Sequence, residues 1–263
     1  MKLPIVSCVL AAGCVVQSPP PSYPGGAPPA SSTPAAPTSS PATALPSPDL
    51  AVPIAPDQPM PAQSYSSTVT ATLGAPVKAL VDGRADIYSA AASQADPDRA
   101  GVLPTRIVLP QGTHLAVTFG RVTGKVGCGT GEAQSGPDGG SCAGGNTNIQ
   151  PASGFSGIVD HEATQFLVGV FVGKTASAAA PAALDFSRGA QGTNFHALRP
   201  ALGQVFFIGD GQADGAAQLF FVPDGASTLA LGIADAYSFT GAPGYYGDNT
   251  GGFGVTATVD AAK

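Results

Sequence analysis

The chain has no tryptophan, and only 11 of its 263 residues are lysine or arginine; charged residues make up 11% of it. Average globular chains carry about 25% charged residues. So little charge excludes a helical bundle or coiled coil, which need long runs of Glu, Lys, Leu and Ala. The few basic residues are scattered and the net charge is −6. Nucleic acid is therefore excluded as the main partner, because phosphate contacts need a Lys/Arg surface. No run of 18 apolar residues occurs, so no transmembrane helix is expected. There is no C-x-x-C spacing, and His114, His161 and His196 lie far apart in sequence, which argues against zinc. What the chain has in excess is 35 Gly and 26 Pro.

The proline is concentrated. Between Val15 and Pro61 stand 15 of the 26 prolines, among Ser, Ala and Thr, and the only charges there are Asp49 and Asp57. Such a segment cannot bury enough apolar surface to offset its ordering entropy. Residues 15–67 therefore read as a disordered, partly polyproline-II tether. Before it, residues 1–14 read as a signal peptide: Lys2 is a minimal positive start, Leu3 to Ala12 an apolar stretch, and Ala12 and Gly13 small residues before Cys14. The string Leu10-Ala-Ala-Gly-Cys14 resembles a bacterial lipobox, in which the cysteine becomes the acylated first residue of the mature protein. The resemblance implies an exported protein held on the outer membrane or cell surface by lipid at Cys14, since several acyl chains anchor stably at about 0.8 kcal/mol per buried methylene. Setting aside Cys8 in the leader and Cys14, two cysteines remain. Cys128 and Cys142, in a Gly-rich stretch of an exported domain, are expected to pair.

From residue 68 the pattern changes to short runs of β character bounded by Gly, Pro, Asp or Asn. They are Thr105–Leu109, Leu115–Phe119, Phe166–Val172, Gln204–Ile208, Ala217–Val222, Thr228–Ile233 and Gly252–Val259. In the last, Phe253, Val255, Ala257 and Val259 alternate with Gly and Thr, the sign of a half-buried strand. No window has convincing helical period, although Ser89–Ala95 suits one short helical turn. The pattern predicts an all-β domain over 68–263, a β-sandwich of jelly-roll type. Residues 126–157, long and Gly-rich, are expected to be a surface loop.

Chemistry concentrates near the end. A strand ends at Asp235, a Gly/Pro/Tyr loop follows, and Asp248 and Asn249 stand side by side before the final strand. Oxygens of Asp235, Asp248 and Asn249 could converge where the two strand ends meet, and hard oxygen ligands suit Ca²⁺. The same Asp-Asn-x-Gly string also suits an ordinary Asx-turn.

Pro243-Gly-Tyr-Tyr-Gly-Asp-Asn-Thr-Gly-Gly-Phe253 resembles the terminal motif of the bacterial calcium-dependent galactophilic (PA-IL-like) lectins. The resemblance implies a calcium site with Asp235, Asp248 and Asn249 as side-chain ligands, and with backbone carbonyls at Tyr245 and near Gly124. It further implies carbohydrate, galactose-like, bound through the metal at Asp235, Tyr245, Asp248 and Asn249. The chain departs from the family in about five extra residues, Ala236 to Thr240, in Asp248 where the family has Asn, and in lacking its His-Pro-x-Gln loop. Tyr237, Tyr245 and Tyr246 are candidates for a sugar platform, with packing or loop anchoring as their alternative roles.

Enzymatic readings are weaker. His161-Glu162 has no accompanying nucleophile motif such as G-x-S-x-G and reads as a surface pair. Asp82, Asp86, Asp160, Glu162, Asp210, Asp214 and Asp224 are glycosidase candidates by type alone, and Asp210-Gly-Gln-Ala-Asp214 reads as a hairpin turn. The expectation is a non-enzymatic, calcium-dependent carbohydrate-binding surface lipoprotein. Its rival is a structural or adhesive lipoprotein whose calcium only stabilises the loop.

Overall fold

The structure, a computed structural model, describes residues 68–175 and 179–262. The leader with Cys8 and Cys14 and the tether at 15–67 lie outside the described residues. Contacts divide the chain into Met1–Gln58 and Pro59–Lys263, and every described residue falls in the second unit.

The described residues form 17 strands. In chain order they are β1 (Thr68–Thr70), β2 (Pro76–Asp82), β3 (Thr105–Val108), β4 (Leu115–Phe119), β5 (Thr123–Gly127), β6 (Thr147–Ile149), β7 (Ile158–Asp160), β8 (Leu167–Gly173) and β9 (Leu184–Asp185). Then follow β10 (Ala197–Leu198), β11 (Val205–Phe207), β12 (Gln212–Ala213), β13 (Ala216–Ala217), β14 (Leu219–Phe221), β15 (Ala226–Ile233), β16 (Thr240–Gly241) and β17 (Thr250–Ala261). The helical elements among them are single 3₁₀ turns of three residues.

Two large sheets make a β-sandwich-like fold. One has the order β1-β3-β15-β8-β11; the other has the order β10-β14-β4-β17-β2, with β5 also on β17. Each expected strand is present, with ends shifted by a few residues. β17 starts at Thr250 rather than Gly252 because Thr250 and Gly251 pair with Gly127 and Val126 of β5. Its alternation is the one expected: Phe253, Val255, Ala257 and Val259 are buried, and the residues between them are not. The pleat sends successive side chains to opposite faces, so a period of two becomes an inside and an outside. By contrast β8 and β15 are buried along most of their length, as central strands covered on both faces must be.

The core between the sheets is aromatic despite the missing tryptophan. Phe119, Phe171, Phe206 and Phe220 are fully buried. Phe220 contacts Phe119 edge-on at 5.4 Å and Phe206 at 5.3 Å between ring centres. Such pairs add about 0.5–1.5 kcal/mol each beyond the area they bury.

Two expectations need correction. Residues 126–157 are more than a surface loop. They supply β6 to a small sheet of order β16-β6-β7-β9, and they bury Val126, Ile149 and Phe155. Single apolar residues spaced among glycines leave no periodic trace, yet each finds the core. The helical turn expected at Ser89–Ala95 lies earlier, at Ile87–Ser89, where the Asp86 carboxylate accepts the backbone N–H of Tyr88 at 2.9 Å and fixes the turn's start. Cys128 and Cys142 form a disulfide, with Cα atoms 6.5 Å apart, within the ordinary range. Asp210 and Asp214 are turn residues, as expected. Asp210 Oδ1 accepts the Gln212 N–H at 2.9 Å, and Asp214-Gly215 is the left-handed pair joining β12 to β13.

Candidate functional site

Two strand ends create the site. β15 is central in its sheet and ends at Ile233, so Asp235 emerges at the rim. β17 begins at Thr250, so Asn249 is the last residue before it. The connecting segment is fastened from inside by Tyr246. Its ring is fully buried, and its hydroxyl donates to the Ile233 carbonyl and accepts the Asp235 N–H, both at 3.2 Å. Burial raises the Tyr246 hydroxyl pKa well above the tyrosine range, which keeps it neutral and able to make both bonds.

Asp235 and Asn249 meet. Asn249 Nδ2 donates to Asp235 Oδ2 at 2.7 Å and to the Gly83 carbonyl at 2.9 Å. Asn249 Oδ1 accepts from Gln165 Nε2 at 2.6 Å, and Asp235 Oδ1 accepts the Ala236 N–H at 2.7 Å. Asp235 is 3% and Asn249 5% exposed. Burial pushes the Asp235 carboxyl from 3.8 up to about 7; the hydrogen bonds from Asn249 and Ala236 oppose the rise, while the Asp248 and Asp86 carboxylates add to it. Gln165 Oε1, in a side chain 1% exposed, has no hydrogen-bond partner. A buried acceptor without a donor is costly.

The other expected residues are placed as follows. Asp248 is adjacent and exposed, close enough for its charge to act on Asp235. Tyr245 is exposed, with left-handed backbone (φ 68°). Gly124 is not brought to the cluster. It pairs with Phe253, whereas the residue next to Asn249, Thr250, pairs with Gly127 three positions along β5. Three residues of strand span about 10 Å. The carbonyl that reaches Asn249 belongs instead to Gly83, and neither Gly83 nor Gln165 was anticipated from sequence. Of the three tyrosines considered as a sugar platform, Tyr246 is an interior anchor. Tyr237 and Tyr245 are the exposed ones.

Backbone strain gathers here. Among the described residues nine non-glycines have positive φ, and four of them, Gln165, Ser238, Phe239 and Tyr245, belong to this region. Such residues persist when their surroundings over-determine them.

The remaining acids have structural partners or open surroundings. Asp86 is buried and accepts from Ser89 Oγ at 2.6 Å and Arg99 Nη1 at 3.2 Å. Asp82 pairs with Arg84. Asp160 Oδ1 accepts the N–H groups of Glu162 and Ala163. His161 and Glu162 are exposed, bonded to Asn146 and to the Arg188 N–H. Asp138, Asp160 and Glu162 line an open cleft beside Arg188, and burial raises both aspartates above the usual carboxylate range. Asp214 faces His196 at 3.3 Å on the surface, and Asp224 lines a shallow surface groove.

Among the described residues no three His, Cys, Asp or Glu side chains come together as a metal-holding group. A cation at Asp235 would therefore rest on one carboxylate plus amide and carbonyl oxygens, with Asp248 at the open side. That is a calcium-type donor set rather than a transition-metal one. No family model, curated protein or solved structure matches the chain.

Proposed function

We propose that this domain binds carbohydrate in a calcium-dependent manner at the rim where β15 and β17 meet, as part of an exported, lipid-anchored surface protein. The observation that carries the reading is the meeting of Asp235 and Asn249 beside the unpartnered Gln165 oxygen. Asp235, Asn249 and the Gly83 carbonyl would hold the ion from below, with Asp248 and the Tyr245 loop on the solvent side. Calcium bound there supplies a hard positive centre that takes sugar hydroxyls as further oxygen ligands. The protein's own part is to bury and orient those oxygens and to fix the loop through Tyr246.

Calorimetric titration of CaCl₂ into the full chain, in a detergent without a sugar headgroup, tests the ion. Heat release and a raised melting temperature are expected. Both effects should vanish in the Asp248→Ala/Asn249→Ala double variant while the β-sheet circular dichroism persists. No heat and no thermal shift with the unaltered chain would refute calcium binding. The deep burial of Asp235 and Asn249 favours a second reading, in which the ion only ties the loop to the sandwich. A glycan array with and without chelator separates the two.

A further inference from the structure

The residues between Asp235 and the Pro-Gly turn do something definite with the chain. Phe239 is buried and anchors the segment from inside. Thr240–Gly241, as β16, pairs with Asn148 and Ile149 of β6, and the Gly241 carbonyl accepts the Gln150 N–H at 2.8 Å. On the other side Ala236 bridges to Pro243, and the Gly244 N–H donates to the Asp235 carbonyl at 3.0 Å. The segment is thus held at its middle and at both ends. Left-handed backbone at Ser238 and Phe239 turns Phe239 inward, and Tyr237 stays outside. Left-handed backbone at Tyr245 does the same for the adjacent Tyr245 and Tyr246: one ring is out, the other is in.

The result is a pair of tyrosine rings standing in water. Tyr237 is 67% and Tyr245 59% exposed, and both are among the few large apolar side chains that stay exposed. Their ring centres are 5.2 Å apart and the rings are inclined at 53°. Two inclined rings cannot both lie flat on one face of one sugar. One ring can take a pyranose face and the other its edge. Tyr237 is two residues from Asp235, and Tyr245 follows the glycine bonded to the Asp235 carbonyl. The pair therefore flanks the proposed ion site along the chain, tied to Asp235 by the Gly244 hydrogen bond. Aromatic rings with a polar tip suit a partner that has an apolar C–H face and hydroxyls at its rim, which describes a sugar ring.

Resting on the carbohydrate reading above, we infer that Tyr237 and Tyr245 form a second sugar subsite. The ion corner holds the terminal residue of a glycan, and the tyrosine pair holds the next ring. The preferred ligand is then a disaccharide or longer, not a free monosaccharide.

The test uses the full chain in a detergent without a sugar headgroup, saturated with CaCl₂. Methyl β-galactopyranoside is compared with the β-galactosyl-1,4-glucose disaccharide. The unaltered protein should prefer the disaccharide about tenfold, the ordinary worth of one well-stacked ring. Tyr237→Ala, which removes one ring of the pair and leaves Tyr245 at the ion untouched, should bring the two affinities within about twofold while calcium affinity stays unchanged. Tyr237→Phe should keep the preference. Equal affinities in the unaltered protein, or a preference that survives Tyr237→Ala, would overturn the subsite and leave calcium-dependent sugar binding standing. Loss of both sugars with calcium retained would also overturn it, because the rings would then hold the first residue. No binding of either sugar by the unaltered protein would overturn this inference and the carbohydrate reading together.

Discussion

Replacing Asp235 by asparagine should change how the stability of the metal-free protein depends on pH. Burial raises this carboxyl from 3.8 to about 7, a shift of about three units, or roughly 4 kcal/mol of differential interaction. The folded protein keeps the proton where the unfolded chain has lost it. The stabilisation linked to that proton is full below pH 3.8 and is lost as pH rises through about 7. Only part of this range is convenient to measure. Between pH 5 and pH 8 the unfolded carboxyl is already ionised, and the folded one ionises near 7, so about 2–3 kcal/mol should disappear. Burial also raises Asp138 and Asp160, and these act in the same direction. Urea unfolding in chelator at pH 5, 6, 7 and 8 should therefore show stability falling with pH, and Asp235→Asn should flatten most of the fall. Saturating CaCl₂ should restore stability at pH 8 in the unaltered chain and leave the variant unaffected. A slope that is the same in both proteins would refute the claim that Asp235 is a desolvated acid.

Two further perturbations test the frame around the site. Cys128→Ser with Cys142→Ser opens a 14-residue separation and should lower urea stability by about 3 kcal/mol; an unchanged midpoint under oxidising conditions would show that the bridge constrains nothing. Gly124→Ala puts a Cβ onto the Gly252 carbonyl at φ +106°, so β5 should lose its register on β17 and stability should fall by about 2 kcal/mol. Calcium affinity, measured by calorimetry on the protein that stays folded, should be unaffected; a parallel loss would return Gly124 to the ligand set.

The strands were readable because they obey a period. β17 alternates, β8 and β15 are continuous apolar runs, and the glycines, prolines and aspartates between them mark real turns. Asp235 and Asn249 were readable too, since each stands where a strand stops or starts, and strand ends of neighbouring sheets meet at a rim. Gln165 and Gly83 were not readable. They reach Asn249 across 84 and 166 positions of chain, and a polar residue in a loop carries no sign of which distant loop it faces. The same limit applies to the tyrosines. Tyr245 and Tyr246 are neighbours of identical chemistry with opposite fates, decided by one left-handed backbone angle that the sequence Pro-Gly-Tyr-Tyr-Gly does not announce. Ile149 and Phe155 illustrate it for packing, because isolated apolar residues have no period to read.

The network at Asp235 is arranged in a way that bears on whether a cation belongs there. Both amide hydrogens of Asn249 are used, on Asp235 Oδ2 and on the Gly83 carbonyl, and its oxygen is used by Gln165. The Gln165 oxygen is left over. Turning both amides end for end costs little in shape, because their oxygen and nitrogen are nearly the same size. Asn249 Nδ2 would then donate to the Gln165 oxygen, and the orphan would be satisfied. But Asn249 Oδ1 would then face Asp235 Oδ2 and the Gly83 oxygen at the 2.7 and 2.9 Å now spanned by hydrogen bonds. Three buried oxygens at such spacing repel unless something positive lies among them. A proton on Asp235 relieves only the Asp235 contact and leaves the Asn249 and Gly83 oxygens opposed, so the metal-free protein keeps Asn249 Nδ2 on both acceptors. The orphaned glutamine oxygen is thus the cost of seating Asn249 Nδ2 between two acceptors, and the proposed calcium ion would have to displace those two hydrogen bonds, which is why chelator and pH, taken together, interrogate the site more sharply than either alone.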